Sequence, residues 1–240
     1  MEITIHVAAE HNEKGVLLYA VNFPGAFTRG VSQEEAMAKW DREIASYLRW
    51  RDGAAPAALR CVPRIVQDRE SALHVEDADS DILFDSEAQP MDRSAYQDLK
   101  ALALRSAADF LDLYQSLPDK DRSPLPVRSS FYGPVPRTGR EMYRHTKSVN
   151  SYYFGEIGVA ASNEPDILRC REAGFAALER TADFLSNPVF HGSCGEDWST
   201  GKVLRRFLWH DRIHARAMAR MAALLWGRGA CADPFRFGML

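Results

Sequence analysis

Between Ser199 and Gly227 the side chains at 203, 207, 210, 214, 217, 221 and 224 fall on one helical stripe, and two of them are histidines. A repeat of this kind demands an amphipathic helix whose apolar seam is buried against other helices. It also places His210 and His214 four residues apart, on one face and one turn from each other. That spacing lets both ring nitrogens reach a point about 2 Å from each. An earlier stripe, Met142, His145, Val149 and Tyr152, inserts a third histidine in the same way.

Burying an imidazole without a partner costs on the order of 1–3 kcal/mol. Three histidines directed into one helical interior therefore call for a common partner. A divalent cation is one, since neutral imidazole is a common ligand for such ions. Three ligands leave room for water or substrate at the ion.

The rest of the helical half has the same grammar. From Asp92 onward four amphipathic segments are expected, and a four-helix bundle is the natural way to bury them. The first opens at Ser94 and carries Tyr96, Leu99, Ala103, Phe110, Leu113 and Leu117. The second opens with a capping box, Thr138 to Glu141. The third runs from near Asn163 through Ile167, Cys170, Gly174, Leu178, Thr181 and Leu185. The fourth starts near Ser199. The long connection from Pro118 to Arg137 holds five prolines, and a loop of that length often forms a lid or the wall of a site.

The first 75 residues read differently. Ile3, Ile5 and Val7 alternate with polar residues, as in a half-buried strand. Val16 to Phe23 is a more continuously apolar strand, and Ala26 to Gly30 a short third one. Ser32 to Glu35 is a capping box, followed by Ala36, Trp40, Ile44 and Tyr47 at helical spacing. Arg60 to Gln67 closes a β-β-β-α-β module. Residues 76–91 read as an acidic, solvated linker, with Ile82 and Phe84 as isolated points that could dock it. The expected fold is thus an α+β module over 1–75, the linker, and an all-α region over 92–240.

Two resemblances follow from these motifs. Val21-Asn-Phe-Pro-Gly25, Thr28-Arg-Gly30 and Ser32 to Ala36 resemble the N-terminal domain of HicB-like proteins. That resemblance implies a fold over about fifty residues; the DNA-binding segment usual in such antitoxins does not follow here. His145 with Tyr152 and Tyr153, and Trp209-His210 through His214 to Met218, resemble the DinB-like metalloprotein superfamily. The approach to the histidine pair, Asp197-Trp198 and Val203 to Arg206, is similar too. The resemblance implies that His145, His210 and His214 hold one divalent metal, zinc or nickel. It further implies thiol transfer with a low-molecular-weight thiol; a hydrolase using metal-bound water is the other enzymatic expectation. A non-catalytic, metal-braced protein that binds a partner through the front module is the alternative.

Other residues have weaker claims. Glu141 lies one turn before His145 and could act as a base or orient a ligand, although its capping box already occupies it. Arg206 lies one turn before His210 and could meet an anionic substrate. His191, in the loop from Pro188 to Trp198, could reach the site. The four cysteines, Cys61, Cys170, Cys194 and Cys231, form no C-x-x-C pair and are expected as free thiols, with Cys170 buried. The formal net charge of −3 gives no basic field for nucleic acid. The start of the chain has no basic-then-apolar signal, and no membrane span is expected. A cytoplasmic protein acting on a small molecule, paired as a homodimer through helix faces, completes the expectation.

Overall fold

The computed structural model describes residues 1–130 and 133–238. It is a mixed α+β structure. Strands β1 (Glu2–His11), β2 (Val16–Ala20), β3 (Phe27–Gly30) and β4 (Arg60–Glu70) form one sheet in the order β3-β2-β1-β4. The hairpin partners β1 and β2 are antiparallel, whereas β4 lies parallel to β1. Helix α1 (Gln33–Met37) is capped by the Ser32 side chain. A break at Ala38 and Lys39 separates it from α2 (Trp40–Asp52), where the sequence suggested one continuous helix. Gly53 ends α2 in the left-handed conformation, φ 85°, which a residue without Cβ adopts at no steric cost.

Strand β2 is buried on both faces of the sheet, which explains why it is apolar at every position, whereas the edge strand β4 has no buried residue. On one face Ile5, Val7, Ala9, Leu18 and Ala20 pack with α2 residues Trp40, Ile44 and Tyr47. On the other, Ala8, Leu17 and Tyr19 meet Val75, Ile82, Phe84 and Trp209. The segment expected as a solvated linker is therefore a strap across the sheet. Its docking points are Ile82 and Phe84, but polar groups hold it as well. Ser80 donates to the buried Glu10, and Glu87 is itself buried against Arg205. Cations from α6 (Thr200–Trp226) hold the strap by its backbone: Lys202, Arg206 and Arg205 donate to the carbonyls of Asp81, Ser80 and Ile82 at 2.6, 2.8 and 2.8 Å.

The helical half comprises α3 (Arg93–Ser116), α4 (Gly139–Glu156), α5 (Ile167–Leu178) and α6. Helix α3 packs on α4, α5 and α6, and α4 packs on α5 and α6. Asp92, rather than Ser94, caps α3 by accepting from the Ala95 amide. Thr138 and Glu141 make the expected box at the start of α4, and Ser199 caps α6. Helix α5 is shorter than the stripe suggested. Asp166 caps it and it stops at Leu178, leaving Thr181 exposed and Leu185 in a single 3-10 turn, Phe184–Ser186. Gly174 lets the Phe154 ring of α4 lie directly on the α5 backbone, in space a Cβ would take. One contiguous core runs from the sheet and α2 through all four of these helices. No helix among the described residues is long and apolar enough to cross a membrane.

Candidate metal centre

His210 and His214 come from the middle of α6, and His145 from α4, which packs against it. The three rings converge. Their centroids lie 5.0 Å (His145–His210), 4.7 Å (His145–His214) and 4.5 Å (His210–His214) apart. One ligand nitrogen from each lies within 4.8 Å of the other two. The Nε2 atoms of His145 and His210 are 3.1 Å apart. Two nitrogens at that separation, each about 2.0–2.1 Å from one ion, would subtend roughly 100° at it. That falls between octahedral and tetrahedral geometry, so His145 and His210 can share a cation as they stand.

The rings differ in depth. His210 is buried, His214 half-buried and His145 exposed. The expectation that all three are sunk into a helical interior is thus corrected for His145. The buried face of α4 is centred on Met142, Thr146, Val149, Asn150 and Tyr153, so position 145 lies on its flank. For the same reason Tyr153 points inward, while Tyr152, placed on the stripe by spacing, is 39% exposed. The result is a site with a deep end and an open end. His145 as a residue reaches solvent, yet its Nε2 faces the other two rings.

The chemistry of the cluster is that of neutral donors. No carboxylate or thiol joins the group among the described residues. Burial, and then the neighbouring His214 and His145 rings, hold His210 well below the ordinary histidine value. Burial and His145 bring His214 down to about 3, and burial lowers His145. All three rings are therefore unprotonated near neutral pH, the form that binds a metal. The buried Nδ1 of His210 has no protein partner, and its Nε2 meets only another imidazole. Such a set satisfies itself poorly by internal hydrogen bonds and suits a shared cation well.

The remaining candidates are placed elsewhere or already engaged. Glu141 accepts from the backbone amides of Arg137 and Thr138 at 2.9 and 3.1 Å, bonds that hold its carboxyl below the usual range. It caps α4 and takes no part in the cluster. Arg206 is not free for a substrate: it donates to the Ser80 carbonyl and lies 4.9 Å over the Trp209 ring, buried among Tyr153 and Trp198. Its charge still bears on His210, whose protonation it opposes. His191 pairs with Asp197 at 2.6 Å with its side chain 90% exposed, and it is outside the group. Cys194 is exposed, and Cys170 is buried as expected. Neither joins the three histidines.

Spacing overlooked one supporting pair. Asp211, between the two histidines of α6, forms a salt bridge with Arg171 of α5 in which both side chains have no exposed surface. The Arg171 guanidinium also lies 4.1 Å over the Phe207 ring. This pair ties α5 to the turn of α6 that carries His210. Its trace in the sequence is a charged residue next to each of two apolar stripes, which becomes meaningful only once the helices are paired.

Tyr153 closes the deep end, its ring 6.1 Å from that of His210 and roughly perpendicular to it. Comparison of the chain with protein-family models, curated proteins and solved structures gave no match.

Proposed function

We propose that this chain is a metal-dependent enzyme in which His145, His210 and His214 hold one divalent ion, zinc or nickel, and that it acts on a small molecule by thiol transfer or hydrolysis. The observation that carries this reading is the convergence of three neutral imidazoles with no fourth protein ligand among the described residues. Structural zinc sites are closed by four protein ligands, whereas catalytic ones keep a position open. Here the open side lies beside His145, the exposed member. An ion held there would supply Lewis acidity, lowering the pKa of a water or thiol that reaches it.

The protein's own residues set the rest. His210 and His214, one turn apart on α6, fix two donors rigidly. His145 completes the set from α4, so the site depends on how those helices pack. Tyr153 closes the deep side, and the nearby Arg206 opposes protonation of His210, which favours neutral ligands. The motif resemblance to DinB-like proteins supports thiol transfer and a bundle arrangement of α3 to α6. The HicB-like motifs support the α+β fold of the front module.

Elemental analysis and titration of the full chain with zinc and nickel test the proposal. About one ion per chain is expected, with affinity reduced at least a hundredfold in each of His145→Ala, His210→Ala and His214→Ala. A parent that binds no ion, or variants that bind as well as the parent, would overturn it. Cobalt substitution then separates enzyme from brace. A new sulfur-to-metal charge-transfer band on adding a small thiol shows an accessible ion. A spectrum indifferent to thiols and to other small anions favours the metal-braced reading.

A further inference from the structure

A second concave site lies between the sheet module and α6, on residues that take no part in the histidine cluster. It is a cavity of about 330 Å³. Six cationic side chains line it: Arg29, Lys39, Arg42, Arg49, Arg216 and Arg220. The lining holds one acid, Glu43, and its carboxylate is already shared by Arg216 and by Arg212 behind it. Lys39 is paired with Glu35 at 2.6 Å. Arg29, Arg42, Arg49 and Arg220 have no carboxylate within ion-pair distance among the described residues. Like charges are thus gathered in a hollow, against their mutual repulsion. The guanidinium of Arg220 is lowered by burial and then by Arg216, Arg29 and Arg42, which reports the same crowding.

Charge alone would describe a solvated basic face. A further observation distinguishes this one. The floor is apolar and aromatic: Phe27 and Phe237 flank Arg216, whose guanidinium lies 5.4 and 5.1 Å over their rings. Water would leave the excess positive charge standing, whereas an oxyanion answers it.

We infer that this cavity binds a small polyanion carrying two or more phosphate or carboxylate groups, with Arg42, Arg220 and Arg29 as charge partners. Guanidinium groups suit both anion types, because their forked donors match the spacing of phosphate and carboxylate oxygens. The volume fits a small molecule and is at the lower end of ligand pockets. The inference is independent of the metal reading, since none of the three histidines lines this cavity.

Calorimetric titration of the full chain with inorganic pyrophosphate, and separately with citrate, tests it. One site is expected for at least one probe, weakening as salt is raised. Pyrophosphate alone would identify phosphates as the ligand class, and citrate alone carboxylates. Arg42→Ala and Arg220→Ala, both at exposed positions, should each weaken binding about tenfold, the loss expected for one charged hydrogen bond. His145→Ala, in chelator-treated protein, should bind as the parent does. Failure of both probes to bind at millimolar concentration would overturn the inference. So would loss of binding in His145→Ala with retention in the arginine variants, because the anion would then sit at the histidine cluster.

Discussion

Helix α6 carries two kinds of buried polar side chain, and they are handled in opposite ways. Toward the sheet and strap, Lys202, Arg205 and Arg212 are buried charges that meet acids or carbonyls: Lys202 meets Glu196 at 2.9 Å, and Arg212 meets Glu43 at 3.0 Å. Toward α5, Asp211 meets Arg171 with both side chains fully covered. Toward α4, the Nε2 of His210 meets only that of His145, and the rings of His210 and His214 pack against each other. The cations and Asp211 are built to be complete within the chain. The imidazoles are left short of a partner while surrounded by groups that could have been acids. A buried charge must be paired if the fold is to survive, whereas a neutral ring can wait for its partner from outside. The contrast separates residues that hold this protein together from residues that await a ligand.

The contrast can be broken most sharply at Asp211. Asp211→Ala would strand the Arg171 guanidinium in the core, and removing one partner of a buried pair costs about 3–5 kcal/mol. His214→Leu, three residues away and half-buried, should lie within about 1 kcal/mol of the parent in metal-free protein, because it removes a polar group that had no partner to lose. Urea denaturation of both variants checks the pair. Equal losses would show that the histidines are structural after all.

Acid should expose the same difference with a smaller effect. The folded pKa of His214 is about 3, and that of His210 lies well below the ordinary value. An unfolded histidine titrates near 6.5. Below that pH the unfolded chain binds protons that the folded rings refuse, so stability is present above about 6.5 and is lost as pH falls toward 3. In chelator-treated protein the loss from each such ring should be about 1 kcal/mol per pH unit across that window. His214→Leu should flatten part of the slope, and a parent with an unchanged stability from pH 7 to pH 4.5 would contradict the depth assigned to these rings.

The smallest expected effect concerns the ligand on the other helix. Thr138→Ala removes the side chain that accepts from the Glu141 amide at 3.1 Å and begins α4. A cap of this kind is worth about 1 kcal/mol. The variant should unfold about that much more easily and hold metal several-fold less tightly, since His145 lies within the second turn of that helix. Undiminished metal affinity would mean that packing on α6 alone positions the ring.

Much of this was legible in the residues because it is local. The caps at Ser32, Thr138 and Ser199, the strand alternation from Ile3 to Val7 and the two-histidine face of α6 all depend on neighbours within a turn or two. The places where the reading slipped are those where a distant contact decides. Spacing put Tyr152 inward, but the groove α4 presents to α6 selects Tyr153. Composition made residues 76–91 a solvated linker, but Lys202, Arg205 and Arg206 turn their acids and carbonyls into a strap. The basic cavity left no motif at all, since Arg29, Arg42 and Arg220 come from three separate elements.

By itself the sequence determined that His210 and His214 share one face of a helix, because a rise of 1.5 Å and about 3.6 residues per turn follow from backbone geometry alone. Whether His145 would meet them, and which ring would stand at the open end, was decided by the packing of α4 against α6. That contact joins residues 65 positions apart along the chain, and no local rule of spacing reaches so far.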